Sequence, residues 1–370
     1  MKNNWIRFIA GVLASVVLVG AFALTGGMKG GKRTDGLLYQ ASGLHPDGEI
    51  LSIGGRPVTC EEYLFWLAMA CQNVAASVPD EGWASPISEG GLSYAEYAKV
   101  DAVEAVKQYA VVRLWAEQAG VTLSDSDRAA MESQRQQLIE YYGGEEGYRQ
   151  QLALMGLSQE MNDSIEETQY LYRSLYQAFC TPGTDLYPDD QTLLAYAEQQ
   201  GYMSAYVITL TGENAETMAA DLLERWQKAE DPAGEYEAIC QELQQDAGGA
   251  VTLVEVAGDA LCEAVVAAEI GEIFSVIDPY GDGSCFLVLR TDTDLAAVAE
   301  TYFDVLFDEK LSTAAMVTNS KLYDSLDAGA FYEKLSALRT ELMASMVQED
   351  ADDHDGHDHG DGTGSGEAAE

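Results

Sequence analysis

The sequence is poor in basic residues and poorer still in histidine. Its 370 residues include 20 lysines and arginines against 62 aspartates and glutamates, which gives a net charge of -42. Such a chain repels the phosphate backbone, so the composition excludes a nucleic-acid-binding protein. The few bases are also unevenly placed, because five of them precede Thr34 and no acid precedes Asp35. The negative charge therefore belongs to the body of the chain.

One long uncharged run lies between these N-terminal bases, from Phe8 to Met28. About 20 apolar residues cross a bilayer as a helix, so the run predicts a single-pass membrane anchor with an extracytoplasmic body. The tripeptide at 21–23, Ala-Phe-Ala, also has the form of a signal cleavage site, and cleavage there would give a secreted protein. Both alternatives place the acidic body outside the cytoplasm.

Cysteine and histidine are too sparse for most metal or nucleophilic chemistry. The six cysteines contain no C-x-x-C pair, and they are interpreted as small apolar thiols packed in cores. Three of the four histidines, His354, His357 and His359, stand in the acidic C-terminal tail. Imidazole and carboxylate suit zinc, nickel or copper, which makes these three weak metal candidates. A solvated acidic tail is the favoured interpretation, and no cofactor is predicted.

The first part of the body is predicted to be helical after a short β-hairpin. Ile50–Ile53 and Arg56–Val58 flank a Gly-Gly turn, which is typical of a hairpin. Thr59 and Glu62 then form a capping box before a helix that is apolar on most faces and must be buried on more than one side. Helical periodicity, interrupted by glycines, continues to about Phe179, and no further strand is predicted in this part.

The pattern changes after the breaker Thr181-Pro182-Gly183. Strands are predicted at Ala205–Leu210, Val251–Val256 and Cys285–Leu289, with a short helix at Leu261–Ala268. Helical periodicity then returns towards the C-terminus. The alternation of strands and helices predicts a compact α+β domain inserted in a mainly helical chain, so the expected fold class is α+β, mainly helical.

Three stretches resemble the SurA/PrsA-type extracytoplasmic foldases, which carry parvulin-type peptidyl-prolyl isomerase domains. Ile50–Tyr63 (ILSIGGRPVTCEEY) is similar to the family's strand, glycine turn, strand and capped helix. Ala116–Asp127 (AEQAGVTLSDSD) and Gly143–Ser158 (GGEEGYRQQLALMGLS) resemble its helical chaperone domain. Gly271–Leu289 (GEIFSVIDPYGDGSCFLVL) resembles the end of its parvulin domain. The resemblance implies a chaperone that binds unfolded or proline-containing exported polypeptides.

With this resemblance, six segments are expected along the chain. They are a signal or anchor (1–33), a linker (34–48), a helical chaperone domain (49–183), an inserted parvulin-like domain (184–293), C-terminal helices that pack back on the chaperone domain (294–348) and a disordered acidic tail (349–370).

The resemblance also implies a proline pocket, and here the sequence departs from the family. Active parvulins carry a histidine on the first strand of the domain and another on the last. These two positions fall on Val207, or on Tyr206 if the register slips by one residue, and on Cys285. The large apolar pocket residue of the short helix falls on Val266, and no histidine lies in the parvulin-like stretch. The substrate-binding candidates are therefore these four residues.

The missing histidines predict weak or no isomerase activity. A peptide bond rotates over a barrier of about 18–20 kcal/mol, and an isomerase lowers the barrier with an apolar grip and polar groups that favour the twisted amide. One alternative is a divergent isomerase, in which the Tyr206 hydroxyl and the Cys285 thiol replace the histidines. A further alternative is a surface metal-binding or scaffold protein that acts through the tail.

Overall fold

The computed structural model describes residues 31–355, with side chains up to residue 346. These residues form two compact units. The helical unit comprises residues 31–173 and 310–355, and the sheet unit comprises residues 174–309. The predicted α+β, mainly helical fold class is confirmed. No helix among the described residues is long and apolar enough to span a membrane, and the predicted anchor at Phe8–Met28 lies outside them.

The helices and strands are named in chain order. They are α1 (Leu37–Ser42), β1 (Glu49–Ile53), β2 (Arg56–Thr59), α2 (Cys60–Ala75), α3 (Tyr94–Ala119), α4 (Asp125–Tyr141), α5 (Glu145–Met155), α6 (Gln159–Cys180), α7 (Asp190–Gln200), β3 (Tyr202–Leu210), α8 (Ala215–Gln227), α9 (Pro232–Glu242), β4 (Val251–Val254), α10 (Ala260–Ala267), β5 (Ile273–Ile277), β6 (Cys285–Thr291), α11 (Leu295–Thr313), β7 (Met316–Thr318), α12 (Ser320–Tyr323) and α13 (Ala328–Asp355).

Helix α2 lies at the centre of the helical unit. The Thr59 hydroxyl accepts a hydrogen bond from the Glu62 amide at 3.2 Å, which satisfies one of the amides left free at a helix start. Tyr63, Leu64 and Leu67 are fully buried, because α2 packs against α3, α13 and the β1-β2 hairpin. The predicted cap by Thr59 and the burial on more than one side are confirmed. The capping box is incomplete, because the Glu62 carboxylate accepts from Arg113 instead of from the Thr59 amide.

The predicted linker, residues 34–48, is folded in the structure. Helix α1 lies within it and buries Leu37 and Leu38. The backbone amide of Arg33 donates to the Asp47 carboxylate at 2.8 Å and ties the start of the segment to its end. The glycine and polar content favoured a linker, but the two leucines supply a helix face that the helical unit buries.

A third strand joins the predicted hairpin, although the sequence predicted none. The strand order is β2-β1-β7, and Leu51 of β1 lies opposite Thr318 of β7. The amide of Asn319 extends the pairing by donating to the Ile50 carbonyl at 2.8 Å. This pairing joins residues far apart along the chain, and local periodicity carries no sign of such a contact.

The last helix is longer than predicted. Helix α13 packs against α1, α2, α3 and α5, and it continues to Asp355. Residues 349–355, predicted to belong to a disordered tail, are therefore helical. The physical reason is that no glycine or proline interrupts the chain until Gly356, so the helix has no breaker at its predicted end.

The sheet unit contains a four-stranded antiparallel sheet in the order β4-β3-β6-β5. The central strands β3 and β6 pair from Ser204–Thr291 to Leu210–Cys285. The strands predicted on these two segments are confirmed, whereas β5 was expected only as part of the connection to a turn.

The two faces of this sheet are covered unequally. Helices α8 and α9 pack on one face, here called the covered face, where Ile208, Leu287 and Trp226 are fully buried. Among the described elements, only the eight-residue helix α10 packs over the middle of the other face, here called the open face. One short helix cannot cover four strands, so apolar side chains of the open face stay partly exposed.

Candidate functional site

The predicted site residues of β3 divide between the two faces. Successive side chains of a strand point to opposite faces, so Tyr206 and Val207 cannot share one. Tyr206 belongs to the covered face, where its ring centroid lies 4.7 Å from that of Tyr236 of α9. Val207 belongs to the open face and packs against the cluster that includes Val288.

Cys285 lies on the covered face and is only 2% exposed. In the β3-β6 register Cys285 is opposite Leu210, whereas Tyr206 is opposite Leu289. The two candidates are thus four residue pairs apart, about 13 Å along the strands at about 3.3 Å per residue. They do not converge on one small group such as a prolyl amide. On β6, the open face carries Val288, which lies opposite Val207, and the less buried Phe286.

Val266 does not face the sheet. It is 45% exposed, whereas Leu261 and Val265, four residues apart on the same helix, are buried against the open face. The predicted pocket position is therefore displaced by one residue from the one that packs on the strands. Of the four predicted residues, only Val207 lies on the open face of the sheet itself.

The open face presents a shallow apolar surface. Val207, Phe274, Val276 and Phe286 are half-buried on it. Tyr280 lies beside them, with its ring centroid 5.8 Å from that of Phe286, and is 52% exposed. These five residues are called the apolar surface below. Covering it with apolar groups of a ligand would release about 25 cal/mol per Å² of buried area.

Hydrogen bonds join the apolar surface to the start of α10. The Tyr280 hydroxyl donates to Asp259 Oδ2 at 3.1 Å, and Asp259 Oδ1 accepts from the Cys262 amide at 2.8 Å. The hydrogen bond from that amide is the main cause of a lowered pKa of Asp259. Partial desolvation, followed by the contact with Asp259, raises the pKa of Tyr280. At neutral pH the carboxylate is therefore ionised and the phenol keeps its proton.

The turn that carries Tyr280 also leaves a hydroxyl unused. Asp278 has a φ of 45°, and its carboxylate accepts from the Gly283 amide at 2.7 Å. Ser284, two residues before Phe286, is 5% exposed, and its Oγ has no hydrogen-bond partner among the described residues. Because the oxygen is itself buried, it is not open to a ligand on the surface.

The charge around the apolar surface is strongly negative. The sheet unit has three basic residues, Arg225, Lys228 and Arg290, against 27 acidic ones. The first two form ion pairs with glutamates, and the guanidinium of Arg290 donates to the Val265 carbonyl. A ligand of this surface is therefore expected to be neutral or basic, since an anion would be repelled.

The described residues offer neither a metal centre nor a reactive thiol. They contain no group of three or more histidine, cysteine, aspartate or glutamate side chains placed to hold a metal ion. The side chain of His354 lies outside the described side chains, and His357 and His359 lie outside the described residues altogether. The six cysteines are unpaired, as predicted, and burial raises the pKa of Cys60 and of Cys71 to about 12. Both thiols are thus protonated and poor nucleophiles at neutral pH.

Comparison with solved structures gives weak similarities, among them two foldase proteins. No family model matches the chain, and no curated protein matches it. The crystal structure of the foldase protein PrsA from Lactococcus lactis matches 78% of this chain and 98% of its own, with 14% identity and a TM-score of 0.29. PrsA from Streptococcus pneumoniae matches 78% and 93%, with 15% identity and a TM-score of 0.24. At such low values, neither similarity defines the function or the site of this chain.

The sequence reasoning missed Phe274, Tyr280 and Phe286. A signal for Phe286 was present in the alternation of β6, because Cys285, Leu287 and Leu289 fall on one face and Phe286 on the other. The register could not be fixed from a single strand, since a slip of one residue moves every side chain to the opposite face.

Proposed function

We propose that the protein is an extracytoplasmic foldase or chaperone that binds unfolded exported polypeptides on the apolar surface, with weak or no isomerase activity. The observation that supports this function is the pair Val207 and Phe286. Both stand on the open face, Val207 in β3 and Phe286 in β6. The resemblance implies histidines at Val207 and at Cys285, and Phe286 is the neighbour of Cys285 that lies on the open face. The side chains of Val207 and Phe286 are both apolar, so the surface suits adhesion to apolar segments rather than proton transfer or hydrogen bonding.

The physical basis is a difference between holding a chain and twisting one of its bonds. Holding needs only apolar area, and about 25 cal/mol per Å² is gained as this area is buried. Isomerisation needs groups that stabilise the twisted amide more than the planar one. The Tyr280 hydroxyl is a polar group of the apolar surface, and it already donates to Asp259.

The export of the body is part of the proposal and rests on the sequence. Phe8–Met28 would either remain as a membrane anchor or be removed as a signal, and both routes place the binding surface where exported chains emerge. The negative charge of the body favours the solubility of a protein with exposed apolar groups. It also favours polypeptides with basic residues beside their apolar segments.

The alternatives have less support. A divergent isomerase that uses Tyr206 and Cys285 would need both groups at one amide, but they lie on the face that α8 and α9 cover. A metal-binding or scaffold role of the tail concerns His354, His357 and His359, and no observation on the described residues favours it.

The decisive experiment measures chaperone and isomerase activity on the same preparation. A soluble form should begin at residue 31, because Lys32 and Arg33 contribute amides to the contact with Asp47. We expect it to suppress the aggregation of a reduced, unfolded client at stoichiometric amounts. We also expect cis-to-trans conversion of a proline tetrapeptide to proceed at its spontaneous rate. Failure to reduce aggregation at a several-fold excess would contradict the proposal.

A further inference from the structure

The short edge strand β4 has no charged residue, proline or bulge to protect the sheet edge. Its sequence, Val-Thr-Leu-Val, contains no charge, proline or glycine. Val251 and Val254 are both 45% exposed, and Val256 just beyond the strand is 54% exposed. An exposed apolar edge strand presents unpaired backbone groups and is a template for another strand.

One edge strand of the three-stranded sheet, β2, differs from β4 in this respect. Strand β2 carries Arg56 and Pro57, and the β1-β2 register is shifted by an irregularity between Glu49 and Leu51. A charge, a proline and a bulge are three devices by which natural sheets prevent further pairing. The edge strand β2 thus carries protective features that β4 lacks.

The register of β4 identifies which backbone groups point away from the sheet. The Glu255 amide donates to the Gly201 carbonyl at 2.9 Å, so Glu255 bonds inward, towards β3. Antiparallel strands alternate inward and outward residues, so Leu253 and Val251 also bond inward. Thr252 and Val254 then point their backbone groups to the outside.

The outward groups of β4 are largely unused. The carbonyl of Val254 accepts only a long hydrogen bond from the Cys262 thiol, at 3.4 Å. The amides of Thr252 and Val254 point away from β3, and no other described backbone carbonyl accepts from them. A new strand would find two donors and the Thr252 carbonyl, which is the repeat needed to start an antiparallel or parallel ladder.

We propose that an extended segment of a client polypeptide adds to this sheet as a fifth strand alongside β4. The client is the unfolded exported polypeptide of the proposed function, on which this inference rests, but the binding site is a different one. Backbone hydrogen bonds to Thr252 and Val254 provide affinity without a fixed sequence, and exposed Val251 favours β-branched or other apolar side chains on that side.

The negative charge near β4 determines which polypeptide segment can bind beside it. Glu255, Asp259 and Glu263 follow β4 closely in the chain, and the whole sheet unit has three bases against 27 acids. A second copy of this chain would bring a further net charge of -42 to the edge, which opposes self-association through β4. The preferred segment is therefore an uncharged, strand-forming stretch with lysine or arginine at its ends.

The test uses Thr252→Pro in the full-length chain, with Thr252→Val as the matched control. Proline removes the outward amide, and the pairing of β4 with β3 keeps its hydrogen bonds because Thr252 does not bond inward. The probe is a synthetic peptide with about six alternating valines and threonines, a typical strand length, and lysines at both ends. We expect about tenfold weaker binding to the proline variant, as for the loss of one or two hydrogen bonds, and unchanged binding to the valine variant.

Hydrogen exchange of the unmodified chain gives a second readout that does not depend on a variant folding. The peptide should slow exchange at the amides of Thr252 and Val254 and leave Leu253, already paired inward, unchanged. Equal affinity of both variants, or protection confined to other strands, would overturn the inference. So would a change of oligomeric state in Thr252→Pro with unchanged peptide affinity, because the occupant would then be a second copy.

Tyr280→Ser separates this inference from the proposed function. If that variant loses client binding while Thr252→Pro retains it, strand addition is wrong and the apolar surface stands. If the unmodified chain binds the strand peptide but suppresses no aggregation, the edge site stands and the chaperone function fails.

Discussion

The helical unit and the sheet unit differ in where their described charged side chains lie, because the helical unit buries two of them and the sheet unit buries none. In the helical unit, the adjacent residues Glu61 and Glu62 are each 4% exposed. Glu61 pairs with Arg33 at 2.7 Å and Glu62 with Arg113 at 2.8 Å. The helical unit thus buries two carboxylates of α2, and each forms an ion pair with an arginine outside that helix.

The ion pairs of the sheet unit are exposed to solvent. The ion pairs of Arg225 and Lys228 lie at the surface, where such pairs add little to stability. Meanwhile Val207, Phe286 and Tyr280 leave apolar area exposed on the open face. Buried ion pairs thus join segments of the helical unit, whereas the sheet unit has partly exposed apolar side chains on its open face, where we propose that a ligand binds.

The largest effect is expected from breaking a buried pair of the helical unit. Glu62→Gln leaves the guanidinium of Arg113, whose side chain is 10% exposed, without a compensating charge. We expect the free energy of unfolding to fall by about 3–5 kcal/mol, measured by urea denaturation. The control is Glu132→Gln, which breaks an exposed pair with Arg135 and should cost less than about 1 kcal/mol. Equal losses in the two variants would contradict the contrast between interior and surface.

The second-largest effect is expected in β6, where one substitution should weaken client binding and its neighbour should reduce stability. Phe286→Ser removes an apolar ring from the open face, and client affinity should fall by about tenfold or more because a large apolar contact is lost. Its neighbour Leu287 is fully buried on the covered face. Leu287→Ala should reduce stability by about 2–5 kcal/mol and leave client affinity unchanged in the folded protein.

Fluorescence anisotropy of a labelled, unfolded client checks the affinities, and thermal unfolding checks the stabilities. The comparison fails if Leu287→Ala weakens client binding as much as Phe286→Ser does while both variants are folded. In that case the two faces would not differ in function.

Local elements of the fold were predictable, but contacts between distant segments were not. The capping of α2 by Thr59 and the central strands β3 and β6 follow from residue patterns within a few positions. The pairing of Leu51 with Thr318 depends on a contact that no local pattern encodes. The pair Glu61-Glu62 is explained at the sequence level by a helix start, whose dipole favours acids, but its burial could not be predicted.

The candidate site was predictable to the element and not to the residue. The reasoning chose the first strand, the last strand and the short helix, and the apolar surface indeed includes residues of β3 and β6. Within β6 and α10 it proposed Cys285 and Val266, whereas the residues that lie on the open face are their neighbours Phe286 and Val265. A strand reverses its face at every residue and a helix turns by about 100°, so an error of one position is enough to change the neighbours.

A smaller effect is expected from pH at the edge of the apolar surface. The pKa of Asp259 is lowered in the folded protein from its ordinary value of 3.8, mainly by the hydrogen bond from the Cys262 amide. An acid of this kind stabilises the folded state above its unfolded pKa, and the contribution is lost as the pH falls through the folded pKa. We expect the NMR shift of the Cys262 amide to titrate below pH 3.8. Asp259→Asn, which can still cap the helix but cannot ionise, should abolish that titration.

No effect at all is expected from the two polar candidates on the covered face. Tyr206→Phe and Cys285→Ala remove the hydroxyl and the thiol that a divergent isomerase would need. Both groups lie under α8 and α9, so client affinity should not change in either variant. The rate of prolyl conversion measured with each variant should equal the spontaneous rate. Tyr280→Ser is the positive control, since it should weaken client binding in the same assay. The contrary result is a rate above the spontaneous one with the unmodified chain that Tyr206→Phe or Cys285→Ala abolishes. It would show that catalysis occurs on the covered face, and the proposed roles of the two faces would be reversed.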